Sequence, residues 1–292
     1  MQIGFAGQNP SSHYWLIVSH GVRERATELG IALTTTHAST LHQQTAALHQ
    51  LIDQRVDVIL LGPVAAHGLA APIRRAQAAG IPVIVLAADV SDCAVTATVR
   101  SDHRTGAEVA TRYLVEQLGG RGAVAHLMGP SQLQDNLDRA AGVRHVLAQQ
   151  PEMTIVFEQE SPDWRPESGA ALMHAALTRF PHIRGVCCAN DTLALGASTA
   201  IGALGRTGGI VVTGFDATPD ALLAIHRGQM SATVQQQIRG IGRTGVELAQ
   251  QVAAGAAVPP LVLTDIALIT RATLLDATLD AVDLLPTVLR DF

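Results

Sequence analysis

The 292-residue sequence contains no lysine; all 20 of its basic residues are arginine. Aromatic residues make up 3% and charged residues 15%. Beside abundant alanine, these shortages read as a compositional bias more than a function. A net charge of -5 and the lack of any basic run make the chain a poor partner for nucleic acid on its own. Cysteine is scarce and odd in number: Cys93, Cys187 and Cys188. The last two are adjacent on an expected buried strand, and no Cys-x-x-Cys or Cys/His metal spacing exists, so three reduced core thiols and no metal are expected. Buried thiols occur in secreted proteins too, which leaves the compartment open. No stretch approaches the ~18 apolar residues of a membrane span. The sequence opens on Met1-Gln2-Ile3-Gly4-Phe5-Ala6, which already reads as a strand; a signal peptide or upstream domain is therefore expected to be absent or removed.

Catalytic patterns are missing as well. There is no Gly-x-Ser-x-Gly elbow, no His-Glu-x-x-His pair and no paired-carboxylate spacing. His42 and His49 stand seven apart, too far for a helical metal pair. The glycines over 202–209 follow a helix instead of a strand, which argues against a phosphate loop. The expectation is a chain that is not an enzyme and needs no cofactor.

What is present is alternation. Hydrophobic residues reach 48%, enough for a full core, and the length suits one large or two ordinary domains. Apolar runs predict strands over 3–6, 31–35, 56–61, 82–87 and 95–99, with helical spacing over 15–29, 41–52, 69–79 and 106–118 between and after them. The pattern restarts with strands over 123–128, 154–158, 186–188 and 210–213, and helices over 139–149, 169–179, 193–204 and 221–226. A strand over 231–236, a helix over 238–254 and a single strand over 262–269 close it. Such βα repeats imply an α/β fold of two doubly wound parallel-sheet lobes, with enough late elements to recross between them and form a hinge.

Two segments stand out. Gly185-Val186-Cys187-Cys188 runs into Asn190-Asp191-Thr192, and Ile210-Val211-Val212 runs into Gly214-Phe215-Asp216. Each places an amide or acid at the carboxyl end of a strand, where open parallel sheets bind small molecules. Carboxylates and carboxamides there offer flat pairs of atoms that grip hydroxyls. Asp216 is also a candidate helix cap.

These residues, together with Arg227-Gly228-Gln229-Met230-Ser231-Ala232-Thr233-Val234-Gln235-Gln236, Leu195-Gly196-Ala197, Gly80-Ile81-Pro82-Val83 and Ser101-Asp102, resemble the type I periplasmic binding proteins of the ribose/galactose class, which share their core with lac-repressor-type regulators. The resemblance runs over about 3–270. It implies two lobes joined by three hinge strands, residues 1–102 with 237–263 and residues 103–236 with 264–292, closing on a sugar or polyol in a cleft between them. It also implies a non-enzymatic binder that serves a membrane importer of the ABC type from the periplasm or cell envelope, expected to be a monomer. The other reading is the ligand-sensing domain of a cytoplasmic regulator or signalling protein whose output domain lies elsewhere.

Residue by residue, the resemblance assigns Arg139 as a fork onto sugar hydroxyls, a task for which its rigid plane suits better than lysine. Trp164 matches an aromatic that stacks on the sugar face. Asn190 and Asp216 match hydroxyl-gripping groups, with Asp191 read as the helix cap, and Gln236 matches a hinge glutamine. Tyr14 and Trp15 match a pair of first-lobe aromatics; the alternative for Trp15 is an anchor of its helix on the sheet. His103 is expected to be structural. The first lobe departs from the family. Ala87-Ala88 replaces an acid–arginine pair, with Asp89 one place further, and Gly62 replaces an asparagine. The loop Gln8-Asn9-Pro10-Ser11-Ser12-His13 is longer, so that Gln8, Asn9, Ser11, Ser12 or His13 is a substitute ligand, unless the ligand is less hydroxylated on that side. After 270, a stripe of Leu274, Leu275, Leu279, Val282, Leu285 and Leu289, flanked by Asp276, Asp280 and Asp283 and interrupted by Pro286, reads as a helix packed on its own lobe, a connector or a dimer seam.

Overall fold

The computed structural model describes residues 1–9, 13–130 and 134–274. Ser11 and Ser12 of the first loop, and the tail stripe beyond Leu274, lie outside the described residues.

The chain forms two compact units, Met1–Ser101 with Gln237–Asp265, and Asp102–Gln236 with Ile266–Phe292. It passes between them three times. Each unit is a six-stranded sheet with helices packed against it.

The first unit contains strands β1 (Gln2–Gln8), β2 (Ala32–Ala38), β3 (Val58–Leu61), β4 (Val83–Leu86), β5 (Ala97–Ser101) and β11 (Leu261–Thr264). Their order is β11-β5-β4-β3-β1-β2, and every pairing is parallel. The two inner strands Val58-Ile59-Leu60-Leu61 and Val83-Ile84-Val85-Leu86 are apolar without a break and buried throughout. That is what a parallel strand covered on both faces requires. Threonine-rich β2 sits at the edge. Helices α1 (His13–Glu28), α2 (Leu41–Asp53), α3 (Ala70–Ala78) and α9 (Ile238–Ala253) complete the unit. Helices α1 and α9 approach so closely that a Cβ at Gly21 would run into the Arg239 carbonyl, and one at Gly242 into the Val18 carbonyl.

The second unit repeats the plan with β6 (Gly122–Met128), β7 (Met153–Glu160), β8 (Ile183–Cys188), β9 (Val211–Thr213), β10 (Ala232–Gln236) and β12 (Ile266–Thr270). The order is β12-β10-β9-β8-β6-β7, parallel except for β12, which runs antiparallel to β10. Its helices are α4 (His103–Gln117), α5 (Gln134–Leu147), α6 (Pro166–Arg179), α7 (Asp191–Ala203) and α8 (Pro219–His226). The helix entry expected at Ser101-Asp102-His103 is present: Asp102 caps α4 by accepting from the Thr105 amide at 3.0 Å.

The single strand expected over 262–269 is two. Leu261–Thr264 pairs with β5 in the first sheet and Ile266–Thr270 with β10 in the second, so Asp265 separates strands of different sheets. An apolar run shows no periodicity break at such a crossing. Helix α5 also begins at Gln134, which places Arg139 inside the helix on its buried face and not at its opening. All three cysteines are unpaired; Cys187 and Cys188 are buried, Cys93 half-buried.

Candidate functional site

In the second unit the strand order reverses at β6, with β7 on one side and β8 on the other. Chain ends diverge at such a point and leave a crevice at the carboxyl edge of the sheet. The residues that follow β6, β8, β9 and β10 gather there.

Arg139 is the hub, only 6% exposed. Its guanidinium lies 3.9 Å over the centre of the Phe215 ring, a cation–π contact. Its Nη1 donates to the Ala189 carbonyl at 2.6 Å, Nη2 to Asp216 Oδ1 at 3.4 Å, and Nε to His103 Nδ1 at 3.3 Å. His103 is buried with its ring tilted against Phe215 at 5.8 Å, so it holds Arg139 in place. Asp216 Oδ1 also accepts from Gln236 Nε2 at 2.6 Å. Burial pushes the Asp216 carboxyl up, and the Arg139 charge and the Gln236 amide pull it back. Gln236 is 3% exposed, and its Oε1 is buried with no hydrogen-bond partner among the described residues. An orphaned acceptor of this kind is costly and rare.

Asp216 takes φ 111° and Ala217 φ 52°. Two successive non-glycine residues at positive φ cost ~1–3 kcal/mol each and persist only where the surroundings over-determine them. Asp216 does not cap the following helix, whose cap position is Thr218.

The expected roles of Asn190 and Asp191 are partly exchanged. Asn190 is the cap of α7: its Oδ1 accepts from the Leu193 amide at 2.9 Å. The cap engages Asn190 through Oδ1 and not Nδ2, and the residue sits just past β8 beside Arg139's carbonyl partner Ala189. Asp191 is fully buried instead, accepting from the Thr218 amide at 2.7 Å and the Thr233 hydroxyl at 2.5 Å. Sequence assigned the cap to the wrong neighbour because both side chains cap well.

Trp164 is half-buried in the loop after β7. Its ring lies against Gly129, the residue after β6, where a Cβ would collide with it. Asp163 locks that loop, accepting from the Arg165 amide at 3.0 Å and the Ser168 hydroxyl at 2.7 Å. Asn136, buried on α5, clamps Gly129 from behind: its Oδ1 accepts from Gly129 N at 2.9 Å and its Nδ2 donates to Gly129 O at 2.6 Å. Asn136 carried no sequence signal that set it apart from ordinary helix residues; Phe215 and Thr233 lie in the segments that carry the resemblance but were given no role.

The first unit reverses its strand order at β1, between β2 and β3. Trp15 is 8% exposed and lies on Gly62, the residue after β3, where a Cβ would run into the ring. It anchors α1 on the sheet, the alternative raised for it above. Tyr14 is half-buried and meets Trp15 edge-on at 5.7 Å. Gln44, fully buried on α2, donates to the Gly62 carbonyl at 2.8 Å and accepts from the Val64 amide at 2.8 Å. Gln8 Nε2 donates to the Pro63 carbonyl at 2.5 Å, and Asn9 Nδ2 to Ser39 Oγ at 3.0 Å, so both amides serve their own unit. Asp89 lies 3.6 Å from Arg100 Nε, an arginine on β5. Among the described residues, no cluster of three potential metal ligands occurs, and no helix is long and apolar enough to cross a membrane.

The chain belongs to the family of the periplasmic binding protein domain, which it matches over residues 3–257. It is 29% identical over 254 residues to the ribose import binding protein RbsB of Bacillus subtilis, covering 87% of this chain and 82% of that one. Among solved structures it is similar to an ABC transporter periplasmic solute binding protein from Actinobacillus succinogenes with bound D-allose (TM-score 0.84, 25% identity, 94% of this chain and 99% of that one). It is also similar to an ABC transporter solute binding protein from Bacillus halodurans with bound myo-inositol (TM-score 0.81, 25% identity, 94% and 96%). These relatives are binding proteins.

Proposed function

We propose that this protein is the substrate-binding component of an ABC-type importer and takes a small sugar or polyol without turning it over. The observation that carries the reading is the Gln236 acceptor, buried and unpartnered beside an Asp216–Arg139 pair at the carboxyl edge of a parallel sheet. A ligand hydroxyl is the donor that Gln236 Oε1 lacks. Asp216 and the Asn190 amide pair further hydroxyls, Arg139 forks onto the ligand's oxygens, and Trp164 covers an apolar C–H face. The first unit contributes Tyr14 and Asp89, with Ser12 as a further candidate. Each buried hydroxyl left unpaired costs ~1–3 kcal/mol, which is the source of specificity.

The relatives' ligands, ribose by name and D-allose and myo-inositol by structure, support a polyhydroxylated ligand, and their import roles favour transport over a sensing module. On this reading the protein works in the periplasm or cell envelope as a monomer, hands its ligand to a membrane transporter, and engages neither nucleic acid nor a cofactor. Closure on the ligand, implied by the resemblance, is checked by compaction in solution scattering.

The direct test is a thermal-shift and tryptophan-fluorescence screen against pentoses, hexoses, polyols and inositols. A ligand at about a thousand times its Kd adds ~4 kcal/mol. One class should stabilise the protein, shift Trp emission, and lose both effects in Asp216→Ala. Silence across the panel, or turnover of the bound compound, overturns the reading.

A further inference from the structure

Asp191 is buried directly behind the turn that carries Asp216. Its backbone amide donates to the Phe215 carbonyl at 2.8 Å, and its Oδ2 accepts from the Thr218 amide at 2.7 Å, so it touches both flanks of that turn. It reaches the middle through Thr233, whose hydroxyl donates to Asp191 Oδ1 at 2.5 Å and whose Oγ1 accepts from the Ala217 amide at 3.3 Å. A Cβ at Gly214 would run into Asp191 Oδ1, so the carboxyl is seated against the backbone itself. The Asp216 amide is thus held by the Val234 carbonyl of β10 at 2.8 Å and the Ala217 amide by the Thr233 hydroxyl oxygen that Asp191 fixes, and these are the two residues at positive φ.

We propose that Asp191 is the positioning residue of the site, holding the turn so that the Asp216 carboxylate meets Arg139 and Gln236. This rests on the reading that Asp216 grips the ligand. The charges around Asp191 favour the neutral form. From the β9–α8 turn it faces the Asp216 carboxylate, and from the end of β8 the Cys188 thiol. From β10 it meets the uncharged Thr233; on α5, Arg139 reaches Asp216 instead of Asp191, and Asp135 adds negative charge near Asp216. Among the described residues Asp191 has no ion pair. Burial first, and the Asp216 charge second, push its carboxyl up to about 8. Below that pH the proton stays on. Above it both carboxyls are ionised, and the second negative charge repels Asp216 and loosens the turn that Asp191 holds.

The test compares the wild type with Asp191→Asn and Asp191→Ala, using the best-stabilising compound of the panel. Wild-type affinity should be level to about pH 7 and fall about tenfold by about pH 9.5. Asp191→Asn, which keeps shape and neutrality, should bind within about threefold of wild type at neutral pH and show no alkaline fall. Asp191→Ala should lose about tenfold or more at neutral pH. Carboxyl carbon NMR of the ligand-free protein supplies a second readout: Asp191 should titrate near 8, and the amide shifts of 215–218 should move in Asp191→Ala but hardly in Asp191→Asn. A folded Asp191→Ala with unchanged affinity, a pH-independent wild-type affinity, or an Asp191 carboxyl in the ordinary acid range overturns the proposal. If Asp191→Ala does not fold, Asp191→Asn decides it. If no compound binds the wild type, the sugar reading fails, and the NMR titration and amide shifts still decide whether Asp191 holds the turn.

Discussion

In the first unit Gln44 clamps the backbone at Gly62 and the Trp15 ring lies on that glycine; in the second Asn136 clamps Gly129 and Trp164 lies on it. Gly129 directly follows β6, where the strand order reverses, and Gly62 follows β3, the neighbour of the reversing strand β1. A buried carboxamide fixes the backbone there, and the glycine leaves room for a large flat ring. The units differ in what surrounds this device. The second adds Arg139, Asp216 and Gln236, with Asp216 accepting from both of the others. The first adds Ala87 and Ala88, and the acid that follows them, Asp89, is paired with Arg100 from β5. The same scaffold therefore carries an Arg–Asp–Gln cluster in one unit and two alanines beside an Asp–Arg pair in the other, which separates what holds the fold from what, on the proposed reading, selects a ligand.

The largest expected effect tests the two rings against each other. Trp15 is almost wholly covered, so Trp15→Ala should destabilise the protein by about 3–5 kcal/mol and change ligand affinity little. Half-buried Trp164 should show the reverse, a smaller loss of stability and a clear loss of affinity. Denaturant unfolding and ligand titration of both variants check this. If Trp15→Ala keeps its stability and loses affinity, the rings have equal roles and the comparison fails.

Next is the charged set. Arg139→Ala leaves Asp216 buried without its cation, and a partner stranded in this way costs about 2–5 kcal/mol of binding. Arg139→Lys should recover little of it, because a point charge cannot serve Phe215, Ala189, His103 and Asp216 together. In the first unit Arg100→Ala should cost less, since its partner Asp89 is more exposed than Asp216. Equal losses in the two units would show that the first is as much a gripping surface as the second.

Much of this was legible in the sequence, and the boundary falls along physical lines. The two βα lobes follow from hydrophobic periodicity, and Asp216 and Asn190 were visible because they stand at strand ends, whereas Gln236 came only from the family resemblance. Arg139 needed the family resemblance, since an arginine in an Ala/Val-rich helix otherwise reads as solvated. The split of 262–269 between two sheets was hidden in the periodicity, because apolar alternation is the same whichever sheet a strand joins, and only the resemblance implied a crossing there. Asn136 and Gln44 were hidden too: their partners are backbone atoms 7 and 18 residues away, and no local pattern encodes such a reach. The Asn190/Asp191 exchange is the instructive miss. Either residue can cap a helix, and which one does is decided by the burial of the other against Thr218 and Thr233.

A further comparison concerns the two glycines. Gly129→Ala and Gly62→Ala should each cost about 1–3 kcal/mol through forced displacement of a ring. Gly129→Ala should also weaken ligand binding, because the ring it moves is the half-buried Trp164, whereas Gly62→Ala should act on stability alone. Melting curves with and without ligand separate these outcomes, and a Gly62→Ala variant of normal stability would show that the ring over Gly62 yields freely.

The smallest expected effect sets the surface charges of the first unit against the buried acid of the second. Glu24 meets Arg239 and Arg243 across the α1–α9 contact, and these arginines hold its carboxyl at about 2. Its folded value lies below the ordinary one, so its contribution is present above about pH 4.5 and is lost as pH falls toward 2. Asp191 has the opposite sign: its folded value is raised, so stability is fully present below about 3.8 and declines as pH rises toward 8. Size does not follow from shift alone. Glu24 is largely solvated and screened, so Glu24→Gln should cost only about 0.2–1 kcal/mol at neutral pH and less in high salt. The two helices are held chiefly by the close approach at Gly21 and Gly242, which no charge change disturbs. Hydrogen exchange read separately in the two units should therefore show protection in the second unit falling from about pH 5 to about pH 8 while the first stays level. A decline shared equally by both units would mean that Asp191 is not its source.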